Sequence, residues 1–312
     1  MKAPFLFIYT WILYKYHSFR LRKIDYFQYN TLTNISFPLP KFFASVTSYG
    51  NYKAISKLKR SPFNFLTEYL EHGVSFSENP ISVTHFGYFN RPFIKKIYTF
   101  GNVRKVLIES YLKEKNLKRK VISIGPYIKG AKFFKAENEL IKIKAEYGKI
   151  LLVFPSHSTH TVDSIYSHDE FIAEIKRIAT NFDAVFMCLY WKDVQIGKAN
   201  LYETEGFKVV TAGYGNDPAF LSRLKDLIEI STQTMSNNIG THIGYSVCMG
   251  KPHYLYAQES EYVNAGTSTK IDIDPSFKEI KKQFRIQFGT YSEVITPGQL
   301  ELVKKYWGEW ES

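Results

Sequence analysis

The chain has 312 residues, about twice the length of a common domain, so it can bury two sizeable cores. Lys and Arg (41) outnumber Asp and Glu (29), giving a formal net charge of +12, which suits phosphorylated substrates, an anionic membrane face or nucleic acid. The basic residues are scattered, with no zinc-finger, RNP or helix-turn-helix pattern beside them, which sets the common nucleic-acid modules aside.

Residues 3–14 are an aromatic and apolar run ended by Lys15, too short to span a bilayer and without a small-residue cleavage site after it. The run reads as a first buried strand, with an interfacial anchor as the alternative. Periodicity is poor up to Arg60. Beyond it, 63–70 reads as a strand, Glu71-His72-Gly73 as the turn at its end, and 94–100 as another strand. Asn102 can cap a helix to residue 111 or 113, 121–124 is a strand, and Gly125-Pro126-Tyr127 is a sharp turn. A helix over 137–146 links to the second half, so the chain divides near residue 145.

The second half alternates strands and helices. Residues 149–154 form a strand and 169–180 an amphipathic helix with Phe171, Ile172, Ile175 and Ile178 on one side. A strand over 184–190, a short helix over 199–205 and a strand over 208–211 follow. Asp217-Pro218 offers the cap and first position of a helix to residue 225. Residues 226–230 read as a strand by their alternation and 231–238 as a polar turn. Residues 239–249 read as a helix capped by Asn237 or Asn238, and 253–256 as the next strand. Gly240, Gly244 and Cys248 fall four apart, giving that helix a narrow face for close packing on a sheet. Thr296-Pro297 opens a last helix carrying Leu300, Leu302, Val303, Tyr306 and Trp307. The rhythm predicts an α/β fold whose second half is a parallel, doubly wound sheet without antiparallel pairing between 149 and 256. Cys188 and Cys248 sit in apolar runs and read as two buried thiols, which fits a reducing cytoplasm.

In such a sheet the ligand lies at the carboxyl ends of the strands. Four successive strand ends are polar here: 155–160 with Ser156, His157 and Ser158; 191–193; 212–215 with Gly213 and Tyr214; and 232–238 with Ser236, Asn237 and Asn238. These provide small residues and an aromatic for a base, hydroxyls and amides for a ribose. The N–H groups of Ile239, Gly240 and Thr241 would form an anion site at a helix N-terminus, where His242 could donate to a phosphate. His157 and His160 are three apart, but no Cys, Asp or Glu at ligand spacing accompanies them, so no metal is assigned. Glu71 or His72, beside Gly73 at a strand end, could take a proton from an acceptor hydroxyl.

Two stretches carry a family resemblance. Glu71-His72-Gly73 with 97–101 and 121–127 is similar to the N-terminal half of bacterial glycosyltransferases of the GT-B fold. Residues 234–242 through Gly250-Lys251-Pro252 resemble the donor-binding turn and helix of their C-terminal half. Among that family the likeness is to enzymes of capsule, O-antigen and teichoic-acid synthesis. The resemblance implies two Rossmann-like domains facing a cleft: residues 1–145 on the acceptor side, 146–295 holding the donor, and a helix over 296–312 returning to the first. It implies transfer of a sugar from a UDP-, CMP- or GDP-linked donor to a glycan or lipid-linked acceptor, without metal or other cofactor and with inversion. Asn238, Gly240, Thr241 and His242 would hold the phosphates, with Ser156, His157 and Ser158 opposite. Glu71 or His72 would be the base. The implied location is the cytoplasm, with peripheral contact to the anionic inner membrane face. Two departures stand out: residues 245–248 lack the Glu that many such enzymes use for the ribose, and residues 1–60 show no glycine-rich loop. A nucleotide-sugar 2-epimerase, using acids such as Asp163, Asp193 and Asp217, is the rival enzyme. A non-catalytic partner of a polysaccharide-synthesis complex is the rival of another class.

Overall fold

The computed structural model describes residues 3–35, 48–51, 67–76, 89–159, 161–271 and 275–310. Helices α1 (Ala3–Leu21) and α2 (Tyr29–Asn34) come first, then a 3₁₀ turn at Ser48–Gly50. A first parallel sheet, ordered β1-β2-β3, contains β1 (Glu68–Leu70), β2 (Lys96–Thr99) and β3 (Lys120–Ser123). Helix α3 (Asn102–Glu114) covers it, burying Ile108 and Leu112 against Tyr69, Ile97 and Val121. Helices α4 (Tyr127–Gly130) and α5 (Glu137–Tyr147) lead to the second half.

That half runs β4 (Ile150–Phe154), β5 (Val162–Ile165), α6 (His168–Ala179), β6 (Ala184–Cys188), α7 (Trp191–Gln195), α8 (Lys198–Glu203) and β7 (Lys208–Val210). It continues with α9 (Phe220–Ile230), β8 (Gln233–Ser236), α10 (Thr241–Cys248), β9 (His253–Leu255) and β10 (Glu261–Asn264). Helices α11 (Pro275–Phe288) and α12 (Pro297–Trp307) follow.

The second sheet is parallel throughout, in the order β7-β6-β4-β8-β9. Strand β4 is wholly apolar and wholly buried, as a central strand covered on both faces must be. From it the chain winds outward through β6 and β7, returns through α9, and continues through β8 and β9 on the other side. The order therefore reverses between β4 and β8, and the crevice beyond the carboxyl ends of those two strands is where such sheets hold ligands.

Helix α12 closes the molecule. Thr296 caps it with its hydroxyl and Gln299 completes the capping box. It packs on α3 of the first unit and on α10 of the second, and its end meets the backbone at Gly101, where a Cβ would collide with the Tyr306 carbonyl. Two parallel α/β units share one cleft, and the last helix returns to the first: the GT-B-like arrangement that the sequence led us to expect.

Several expected elements are different. Residues 3–14 are not a strand but the first part of α1. They lack the period-two alternation of a half-buried strand, and the buried Tyr14, His17 and Leu21 recur at helical spacing. Residues 226–230 are the last turns of α9, which buries Leu221, Leu224, Leu227 and Ile228 on one stripe. Asp226 faces inward because its carboxylate accepts the Phe134 and Lys135 backbone N–H groups at 2.9 Å each. The expected polar turn at 231–238 instead contains the central strand β8. Its side chains are polar yet satisfied: Gln233 donates to the Ser292 carbonyl, and the buried His253 ring joins the hydroxyls of Thr234 and Ser236. The next helix starts at Thr241 with Gly240 as its cap, not at Ile239 with an Asn cap. Strands β5 and β10 form an antiparallel ribbon apart from the main sheet, where only parallel pairing was expected. Residues 63–66 of the first expected strand, and His160, lie outside the described residues.

Candidate functional site

A cavity of about 480 Å³ opens between the two sheets. His72, Gly73 and Val74, which follow β1, line one wall. Pro155, Ser156 and His157 after β4, and Asn238 to His242 after β8, line the other. This is the crevice at the reversal of strand order.

Local hydrogen bonds fix the wall built from the loops after β4 and β8. The Ser156 N–H donates to Asn237 Oδ1 at 2.6 Å, and Asn238 Nδ2 donates to Ser156 Oγ at 3.1 Å. The loops after the two central strands are thus latched to each other. Asn238 Oδ1 accepts the Ile239 N–H at 2.8 Å, so that amide is used locally, and the first amides of α10 are those of Thr241 and His242. Ser236 donates to the Asn238 carbonyl at 2.9 Å and holds the turn from below. Ser158 is turned away: its N–H faces the Asp193 carboxylate, and its hydroxyl accepts the Ser164 N–H.

His242 lines the cavity from the first turn of α10. Its ring lies against Phe154, with centroids 4.8 Å apart, and its buried Nε2 has no hydrogen-bond partner. Burial, and secondarily the neighbouring His157, pull its pKa down to about 3. Burial also holds His253 well below its ordinary value, with His242 the lesser cause. The His157 ring packs on Tyr190 at 4.6 Å. Desolvation by the cleft walls lowers its pKa too, against a smaller opposing pull from Asp193, although the side chain is exposed to the open cleft. Burial raises both thiols to about 12, and both are free.

On the wall that follows β1, the two residues expected as bases, Glu71 and His72, are separated by their surroundings. Glu71 is buried, accepts from Arg104 Nε and Nη2 at 2.8 and 2.6 Å, and takes the Thr99 hydroxyl at 2.6 Å. It does not line the cavity, whereas His72 does. Asn51 Nδ2 donates to the His72 carbonyl at 3.1 Å and the Tyr49 ring stacks on the imidazole. The wall meets α10 directly, because the Val74 N–H donates to Thr241 Oγ1 at 3.1 Å. Gly73 keeps that approach open, since a Cβ there would press on the same hydroxyl.

Gly213 and Tyr214 are not brought into the cavity. Gly213 has a φ of 105° and lies against the buried Asp217–Arg223 ion pair, while Tyr214 packs on Trp191. Sequence reasoning missed Tyr49, Asn51, Tyr190 and Tyr262. Tyr49 and Tyr190 join hydroxyls at 3.2 Å across the cleft, and Tyr262 on β10 meets the Asn238 side chain. Tyr190 alone left a trace, as the residue before the polar strand end at 191–193. Among the described lining residues there is no Asp, Glu, Lys or Arg. Among the described residues no group of three or more His, Cys, Asp or Glu is placed to hold a metal ion.

No family model and no curated protein sequence matches the chain. Two solved structures resemble it in fold. The wall teichoic acid polymerase TagF aligns with a TM-score of 0.39 and 12% identity, over 77% of this chain and 62% of that one. Anabaena Alr3699/HepE, in a crystal structure with UDP and glucose, aligns with a TM-score of 0.35 and 12% identity, over 77% of this chain and 67% of that one. The chain thus spans about two thirds of the length of each.

Proposed function

We propose that the protein is a metal-independent, inverting glycosyltransferase that moves a sugar from a UDP-, CMP- or GDP-linked donor to a glycan or lipid-linked acceptor of capsule, O-antigen or teichoic-acid type. The observation that carries this reading is the cavity at the reversal of strand order, lined by His242 and the other first residues of α10. That arrangement suits the phosphates of a nucleotide. Residues 146–295 are taken as the donor domain, 1–145 as the acceptor domain and 296–312 as the returning helix.

In the proposed reaction an acceptor hydroxyl oxygen attacks the anomeric carbon from the face opposite the leaving group. The bond from that carbon to the phosphate oxygen breaks, and its electron pair stays on the departing nucleotide. The N-terminal amides of α10 and His242 meet the growing charge. His72 takes the acceptor proton, because Glu71 is held by Arg104 and Thr99. Asn238 and Ser156 shape the ribose side of the cavity.

The absence of carboxylates from the described lining favours transfer over 2-epimerisation, in which acids converge on the sugar. Asp217 pairs with Arg223, Asp193 pairs with Lys198, and Asp163 accepts the Gly266 N–H. The test is nucleotide release from a panel of UDP-, CMP- and GDP-sugars. His242→Ala should weaken nucleotide binding by about 1–3 kcal/mol, the scale of a lost hydrogen bond to a charged group. His72→Ala should lower turnover by about 10²–10⁴-fold while sparing that binding. Release from none of the donors would replace this reading with that of a non-catalytic partner.

A further inference from the structure

The described side chains of helix α1 form two opposite apolar stripes, one buried and one exposed. Tyr14, His17 and Leu21 are buried. Tyr9, Ile12, Tyr16 and Phe19 are each more than half exposed, at 54, 58, 54 and 62%. At about 100° per residue those four fall within an arc of about 80°, a continuous stripe along the helix. Lys15 and Arg20 flank it on either side at the same spacing rule, and both are exposed. Arg22 folds over the Phe19 ring at 4.1 Å, and Arg20 lies over Tyr16 at 5.8 Å. The chain has no carboxylate before Asp25.

We propose that this stripe seats α1 in the headgroup region of an anionic lipid bilayer. An aromatic and aliphatic stripe bordered by Lys and Arg lets the rings enter the interface while the cations stay among the phosphates. Each Lys or Arg near such a surface adds to the attraction. Helix α1 lies flat on the surface; no helix among the described residues is long and apolar enough to cross a membrane.

The placement has a functional side. Arg223, wholly buried, donates to the carbonyls of Leu21 and Ile24 and pairs with Asp217. Leu21 and Leu32 pack with Tyr214, Tyr214 packs on Trp191, and the neighbouring Tyr190 lines the cavity. The membrane helix is therefore joined through a short chain of packed rings to the cavity wall, which holds the cleft near the surface where a lipid-linked acceptor resides. The lipid contact itself does not depend on the transferase reading.

The test is sedimentation of the full chain with vesicles of phosphatidylcholine containing phosphatidylglycerol, beside vesicles of phosphatidylcholine alone. The protein should pellet with the anionic vesicles and be released by high salt. Tyr16→Ser combined with Phe19→Ser should weaken vesicle binding at least tenfold, as should Arg20→Gln with Arg22→Gln. Both pairs of positions are exposed, and unchanged circular dichroism would verify the fold. Failure to bind anionic vesicles, or equal binding by wild type and both variants, would overturn the proposal. So would concentration-dependent dimerisation that the Ser variant abolishes, since a second copy would then cover the stripe. Turnover of a soluble acceptor is read separately, so loss of the transferase reading and loss of the lipid contact cannot be confused.

Discussion

At the carboxyl end of β1 the polar groups are charged and sealed away: Glu71 faces Arg104 and Thr99, with both members of the ion pair buried. At the carboxyl ends of β4 and β8 they are neutral and latch two loops beside an open cavity: Ser156, Asn237 and Asn238, with His242 lining the same space. On the proposed reading, the difference separates holding from binding. A buried ion pair fixes the end of a three-stranded sheet that has little core of its own. On the same reading, neutral donors and a helix terminus let the larger sheet accept an anion with no carboxylate among the described lining residues.

The sharpest way to break that comparison is Glu71→Ala. It leaves the Arg104 guanidinium buried without its anion, so stability should fall by about 3–5 kcal/mol in urea unfolding. If stability is kept and turnover drops instead, Glu71 is the base and the first sheet binds rather than holds. A smaller effect should follow Gly244→Ala. Gly244 sits against the Trp307 indole, and an added Cβ would overlap the ring. Overpacking of this kind costs about 1–3 kcal/mol, and a neutral result in thermal unfolding would show that α12 is loosely seated.

The smallest effect concerns protons. With a folded pKa of about 3 for His242 against 6.5 when unfolded, the unfolded state binds the extra proton between those values, and stability falls as pH drops from 6.5 towards 3. Between pH 6.5 and 5 the loss is at most about 2 kcal/mol, at about 1.4 kcal/mol per pH unit. Asp226, raised to about 7 by burial, acts in the reverse sense. The comparison is therefore wild type against His242→Gln, whose acid slope should be shallower. Equal slopes would place the His242 ring in water and remove the neutral character assigned to that wall.

The sequence made some of this legible and hid the rest for identifiable reasons. Strand β4 could be read because every residue in it is apolar. Strand β8 could not, because its Thr234 and Ser236 hydroxyls are satisfied by a histidine on the neighbouring strand and Gln233 by the Ser292 carbonyl, pairings invisible to local periodicity. The same holds for α9, where Asp226 broke the apolar pattern by capping backbone groups about 90 residues away in sequence. His72, Ser156, His157, Asn238, Gly240, Thr241 and His242 line the cavity as the strand-end rule suggested. The choice between Glu71 and His72 needed Arg104, which lies 33 residues further on. Tyr49 and Asn51 left no trace, since their contacts reach across 141 and 21 residues.

The seat of α10 also sets a schedule. Trp307 Nε1 donates to the Thr241 carbonyl at 3.2 Å, so the first turn of the proposed phosphate-binding helix rests on an indole made 307 − 241 = 66 residues later. At a synthesis rate of about 5–20 residues per second, that interval is about 3–13 s. Both sheets have left the ribosome's catalytic centre by then. The nascent protein thus passes through a period in which every described strand has been synthesised but the first turn of α10 still lacks its support.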